Sequence, residues 1–320
     1  MKVVDLFCGC GGLSLGFQQA GYNIVAAYDN WDAATDVYRL NFSHPVHKVD
    51  LMDVAKASSS IVQYAPEMIV GGPPCQDYSS AGGRDEEGGR AILTVRFAEI
   101  VASVRPEWFV MENVSNIMKY SKVFDAMQIF HEAGYGLSYH ILNAALCGVP
   151  QRRKRFFMVG RLRATDGFLD EYLTRHLAEK EMTMRDYFGN SLGINAYYRH
   201  PRSYARRGVF SMDEPSPTVR GVNRPMPSGY KIHHNDPVKT LKGVRPLTTM
   251  ERAEIQTFPS DYHWIGNKTS VEQMVGNAVP VRLATYVGNA INEYIIESEK
   301  DNTVQEKQKL AINIHRHIAI

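Results

Sequence analysis

The chain has 320 residues, of which 44% are apolar and 22% charged, and a formal net charge of +2. That length suffices for one large α/β unit plus a smaller one, and the composition excludes a wholly disordered chain. The small net charge says little about partners, but basic residues crowd into 151–163 and 198–224, as a nucleic-acid groove or a solvated edge would have them. No apolar run approaches the ~20 residues of a membrane span, so no membrane partner is expected. The first residues enter a strand-like segment without the pattern of a signal peptide. Four cysteines without a Cys-x-x-Cys spacing argue against zinc, and a cytoplasmic protein with reduced thiols is expected.

Taken in order, strand and helix signals alternate over the first half. Strands are predicted at 3–7, 24–28, 46–49, 67–70 and 108–111. Helices are predicted at 14–20, 32–42, 92–104 and 123–133, and two further strands at 137–145 and 156–160. This alternation predicts an α/β fold with a doubly wound, mostly parallel sheet covered on both faces. Periodicity fades after Gly160. Residues 166–182 read as a polar helical stretch, and 189–236 are rich in Gly, Pro, Arg, Tyr and Asn. Order returns at Leu247, where Thr248-Thr249-Met250-Glu251 reads as a capping box. A terminal helix is predicted at 281–296, followed by a polar tail, 301–320, that is expected to fray.

The glycine-rich turn Phe7-Cys8-Gly9-Cys10-Gly11-Gly12 lies between a strand and a helix. Glycines there let a ligand approach the backbone, and a helix N-terminus favours polar groups. Asp29 ends the second strand, where a doubly wound sheet places a carboxylate on a ribose hydroxyl. Asp50 ends the third and could accept from an adenine amino group. A ligand-free turn is the competing reading, and the two acids favour an adenosine-type ligand. The spacing differs from the usual nicotinamide fingerprint.

Gly72-Pro73-Pro74-Cys75-Gln76 follows the fourth strand. The prolines fix the backbone before Cys75, which would sit in the crevice beyond the strand ends rather than in an apolar run. The polar, glycine-rich residues 77–90 are long enough to form a lid. Glu112 closes the fifth strand and would face the same crevice. Gln151, Arg153 and Arg155 alternate onto one strand face, where they are either functional or a solvated basic edge. The pair His233-His234 lacks the carboxylate or cysteine support that a metal site needs.

Together these residues resemble the DNA (cytosine-5)-methyltransferases of bacterial restriction-modification systems, over nearly the whole chain. The family's ordered blocks stand here as Asp5-Leu6-Phe7-x-Gly9-x-Gly11-Gly12, Gly72-x-Pro74-Cys75-Gln76 and Glu112-Asn113-Val114. They continue as Gln151-x-Arg153-x-Arg155, Arg245-Pro246-Leu247-Thr248 with Glu251, and Gly276-Asn277-Ala278-Val279-Pro280. One block departs: many members carry Glu before an aromatic residue after the second strand, where this chain has Asn30 before Trp31. Either Asp29 or Asn30 is thus placed for the ribose, and Trp31 for the adenine.

The resemblance implies a Rossmann-like catalytic domain at 1–161 and 245–300, a target-recognition domain at 162–244, and S-adenosylmethionine as methyl donor. Phe7, Gly9, Cys10, Gly11, Asp50, Leu51, Gly72, Pro74, Leu93, Asn277 and Ala278 would join Asp29, Asn30 and Trp31 around the cofactor. Cys75 would be the nucleophile. Glu112 would meet the N3 edge of the cytosine, and Arg155 with Arg153 the O2 side. Gln151, Arg206, Arg207, Arg220, Asn223 and Arg224 would contact double-stranded DNA. A monomer is expected, with a cognate restriction endonuclease as a genetic partner only.

Three alternatives differ in testable ways. A tRNA-acting relative would carry a Cys-Phe-Thr tripeptide that this chain lacks. An amino-methyltransferase would carry Asn/Asp-Pro-Pro-aromatic in place of the Gly-Pro-Pro-Cys run. A silent DNA-binding protein would be expected to have lost a catalytic block.

Overall fold

A computed structural model describes residues 1–74, 91–203 and 205–318, with side chains up to 300. Cys75, Gln76 and the predicted lid at 77–90 lie outside the described residues. The first half runs β1 (Lys2–Leu6), α1 (Gly12–Gln19), β2 (Asn23–Asp29), α2 (Asp32–Asn41), β3 (Val46–Lys48), α3 (Val54–Ile61), β4 (Met68–Gly71), α4 (Ile92–Val104) and β5 (Trp108–Val114). It continues with α5 (Ser121–Glu132), β6 (Tyr135–Asn143), β7 (Gln151–Arg152) and β8 (Lys154–Leu162). Seven of these strands form one sheet in the order β3-β2-β1-β4-β5-β8-β6. Only β8 opposes its neighbours within that sheet. The central strands β1, β4 and β5 are buried along nearly their whole length because helices cover both faces.

One core lies on each face. Phe109 stacks on Phe130 at 3.9 Å, with Phe97 and Tyr135 edge-on. Each such ring contributes roughly 1.5–3 kcal/mol by leaving water. The other face packs Phe17, Trp108, Phe157 and Leu283.

The remaining elements are α6 (Asp170–Arg175), α7 (Met184–Phe188), β9 (Ala196–Tyr198), β10 (Val209–Ser211), β11 (Ser216–Pro217), β12 (Arg245–Pro246), α8 (Thr249–Ile255), α9 (Lys268–Asn277) and α10 (Val281–Ile318). The irregular region is stitched to the rest by strand pairing: β11 lies parallel to β7, and β12 parallel to β9. The Thr248–Glu251 capping box forms as expected.

Several expectations are corrected. The polar stretch 166–182 yields only the single short helix α6. Helix α3 was not anticipated, because its Ser- and Ala-rich sequence carries a weak apolar stripe; Asp53 caps it by accepting from the Lys56 N–H. Strand β5 continues through Glu112 and Asn113, since β8 pairs with it as far as Val114. The terminal helix runs on to Ile318 where a frayed tail was expected. Among the described residues no helix is long and apolar enough to cross a membrane.

Candidate active site

Strand register builds the site. Leu6 of β1 pairs with Gly71 of β4, and Gly71 with Met111 of β5. At these paired residues β1 and β4 end, while β5 runs on to Val114, and the chain beyond the pairs converges at the point where the strand order reverses. A cleft of about 2350 Å³ opens there.

The turn after β1 forms its first wall. Phe7 and Gly9 both take positive φ, 57° and 53°, and turn the chain sharply out of the sheet. A Cβ on Gly9 would meet nothing within 4 Å, so its face is open to a ligand. Gly11 behaves differently. A Cβ there would strike the Phe42 ring at 2.4 Å, and Gly11 does not line the cleft. Its expected cofactor contact is corrected to a packing role. Gly12 lies against the Val279 carbonyl, at 2.3 Å from a built Cβ, which draws the 277–280 turn up beside the glycine loop.

Asp29 ties this wall together. One carboxylate oxygen accepts from the Gly9 N–H and the other from the Trp31 N–H, both at 2.8 Å. Burial raises its pKa, and the N–H bonds partly offset that. Its first role is thus to hold the loops, while the exposed Asn30 beside it lines the cleft. Trp31, Asp50, Leu51 and Leu93 line the same wall. Asn277 and Ala278 close it from the far side. Two spaced acids, an open glycine and an indole form an acceptor and stacking set that fits an adenosine-bearing cofactor.

The second wall carries a carboxylate and a guanidinium. Glu112 lies in β5 one residue beyond the Met111 that pairs with Gly71, opposite Gly72, whose built Cβ would come 3.2 Å from Glu112 Oε2. A larger residue there would press on the carboxylate. Asn113 Nδ2 donates to the Pro73 carbonyl at 3.2 Å, anchoring the segment that leads to Cys75. Arg155 Nε meets Glu112 Oε1 at 2.9 Å. Glu112 is 9% exposed. Burial pushes its pKa up, while Arg155 and then Arg153 pull it down; the net shift is upward.

The three described cysteines are buried. Burial pushes the thiols of Cys10 and Cys147 up to about 12, and that of Cys8 well up too, so each stays protonated near neutral pH.

Arg153 has another employment than the expected base contact. It is 1% exposed, and its guanidinium donates to the carbonyls of Val219, Gly276 and Ala278 at 3.0–3.1 Å and of Asn277 at 3.5 Å. Gln151 is likewise corrected. It is fully buried, donates to Gln256 and accepts from the Val219 N–H, so it cannot reach DNA. Asn223 donates to the Leu247 carbonyl and to Glu272, which occupies its amide inside the protein.

Arg206, Arg207, Arg220 and Arg224 do line the cleft, joined by Arg199, His200 and Arg202, which the sequence did not single out. Arg207 is ion-paired with Glu214 at 2.5 Å. Arg220 donates to the His200 carbonyl. Burial lowers the pKa of Arg199, with Arg220 the next cause, a sign of cations gathered on one wall. Among the described residues no group of three His, Cys, Asp or Glu side chains could hold a metal ion.

A doubly wound sheet, a glycine cradle and a carboxylate–guanidinium pair share one cleft. The family model for C-5 cytosine-specific DNA methylase matches residues 1–293, and the chain belongs to that family. It is 56% identical over 292 residues to the type II methyltransferase M.HindV of Haemophilus influenzae, covering 91% of this chain and 96% of that one. It is 51% identical over 296 residues to the type II methyltransferase M.HgiDI of Herpetosiphon aurantiacus, covering 92% and 95%. The solved Dnmt2 methyltransferase of S. pombe shares the fold, with a TM-score of 0.66 at 17% identity over 92% of this chain and 99% of that one.

Proposed function

We propose that this enzyme methylates C5 of a specific cytosine in double-stranded DNA, with S-adenosylmethionine as donor and Cys75 as nucleophile, within a restriction-modification system. The observation that carries the reading is the buried Glu112–Arg155 pair facing the Gly72–Pro74 segment that delivers Cys75. The relatives' names as type II methyltransferases support the biological setting.

Phe7, Gly9, Cys10, Asp29, Asn30, Trp31, Asp50, Leu51, Gly72, Pro74 and Leu93 would hold the cofactor with Asn277 and Ala278. When bound, its sulfonium supplies an electrophilic methyl group. The chain's own residues make the cytosine able to accept it. The Cys75 thiolate adds to C6, which gives C5 enamine character. Glu112, whose pKa burial raises, hydrogen-bonds N3 and shares a proton as charge builds on the ring. Arg155 offsets developing charge at O2. Once C5 carries its new substituent, loss of the C5 proton expels Cys75 and restores the ring. The base must first leave the duplex, at a cost of roughly a few kcal/mol.

The catalytic domain is assigned to 1–161 and 245–300. The target-recognition domain is assigned to 162–244, with Arg206, Arg207, Arg220 and Arg224 toward the DNA. Incubation with tritiated S-adenosylmethionine and mixed-sequence duplex tests the reaction, with wild type run beside Cys75→Ser. Label recovered as 5-methylcytosine and lost in the variant supports the reading. Label entering tRNA and not DNA sinks it.

A further inference from the structure

The polar side chains buried where the recognition segment meets the catalytic fold have no part in the chemistry above. Gln151, Arg153 and Gln256 are each at most 1% exposed. The Val219 N–H donates to Gln151 Oε1 at 2.7 Å, and Gln151 Nε2 donates to Gln256 Oε1 at 2.7 Å. Gln256 Nε2 in turn donates to the carbonyls of Val275, at 2.6 Å, and Ala278, at 3.1 Å. Arg153 bridges the same two segments directly, from the Val219 carbonyl to those of Gly276 and Ala278.

Backbone packing joins them independently. A Cβ on Gly276 would lie 2.1 Å from the Gly221 nitrogen, and one on Gly221 would lie 3.2 Å from Gln273 Cα. Residues 219–221 thus rest on the end of α9, next to the turn that lines the cofactor wall, while Arg220 faces the DNA wall. A buried hydrogen-bonded chain has few alternative arrangements, because each member displaced leaves others unpaired.

We propose that Gln256, with Gln151 and Arg153, couples occupancy of the cofactor wall at 277–278 to the placement of the recognition segment at 219–221. These are positioning residues, and the inference rests on the cofactor and DNA sites proposed above. Ordering of the 277–278 turn by cofactor is carried through Gln256 and Gln151 to the Val219 backbone. By linkage, DNA tightens cofactor binding by the same factor.

The test measures the Kd of a labelled duplex, carrying the methylated word found by bisulfite sequencing, without and with saturating S-adenosylhomocysteine. The Kd of S-adenosylhomocysteine is then measured without and with that duplex. Wild type should show the same tightening both ways, at least ~5-fold, in the usual range for coupled sites. Gln256→Met should bring both factors near one while each ligand alone still binds. Gln151→Met breaks the chain from the other side, supplies the test if Gln256→Met fails to fold, and should act alike. Absence of tightening in wild type overturns the proposal, as does wild-type tightening in a folded variant. A wild type that binds neither ligand nor methylates DNA overturns the proposed function instead.

Discussion

Glu112 and Arg155 meet across antiparallel strands, with Arg155 Nε 2.9 Å from Glu112 Oε1 where Val114 pairs with Arg155. Neither residue is near the other in sequence. The reversal of β8 brings the guanidinium to a carboxylate whose pKa burial raises and the guanidinium lowers.

Replacing Glu112 by Gln should lower kcat by on the order of 10²–10⁴-fold, the usual contribution of a positioned acid or base. Arg155→Ala removes the largest influence lowering the Glu112 pKa, so that pKa should rise further. The limb of the kcat/KM profile that reports Glu112 should therefore move to higher pH. A limb that stays in place in Arg155→Ala would separate the pair functionally.

Asp29→Asn keeps the shape but sets an amide against one of two N–H groups that both need an acceptor. Calorimetry should show S-adenosylhomocysteine bound about tenfold more weakly, equivalent to about one hydrogen bond. Unchanged affinity would mean that the Gly9 loop does not need this tie.

Asp5 is fully buried beneath the glycine turn, where Ser14 Oγ donates to it at 2.6 Å, and burial raises its pKa to about 7. A carboxyl raised on folding contributes stability that is full below its unfolded pKa, near 3.8, and is lost as pH climbs through about 7. Asp5→Asn should thus gain on wild type in thermal stability between those limits, and hold a constant difference above them. A difference independent of pH would show that folding does not raise the Asp5 pKa.

Arg206 and Arg224 are exposed on the cleft wall, and among the described residues neither is ion-paired, whereas Arg207 is committed to Glu214. Alanine at Arg206 or Arg224 should reduce the salt dependence of DNA binding by about 0.9 in log–log slope if each meets one phosphate. Alanine at Arg207 should change that slope much less. Equal slopes for all three variants would remove this distinction.

Sequence alone determined the alternation of strands and helices, the glycine turn, the order of the blocks and hence the family, because these rest on local periodicity and on residue types at fixed spacing. It also placed Asp29 and Glu112 correctly at strand ends within two residues. Tertiary structure decided what neighbouring residues of one block do. Gly9 opens to the cleft while Gly11 packs on Phe42, and Arg155 faces Glu112 while Arg153 clasps carbonyls more than sixty residues away in the chain. Gln256 carried no local signal at all, since a lone glutamine looks the same whether solvated or buried. Its role follows from which distant backbone groups the fold leaves in need of a partner, and only the packed chain determines that.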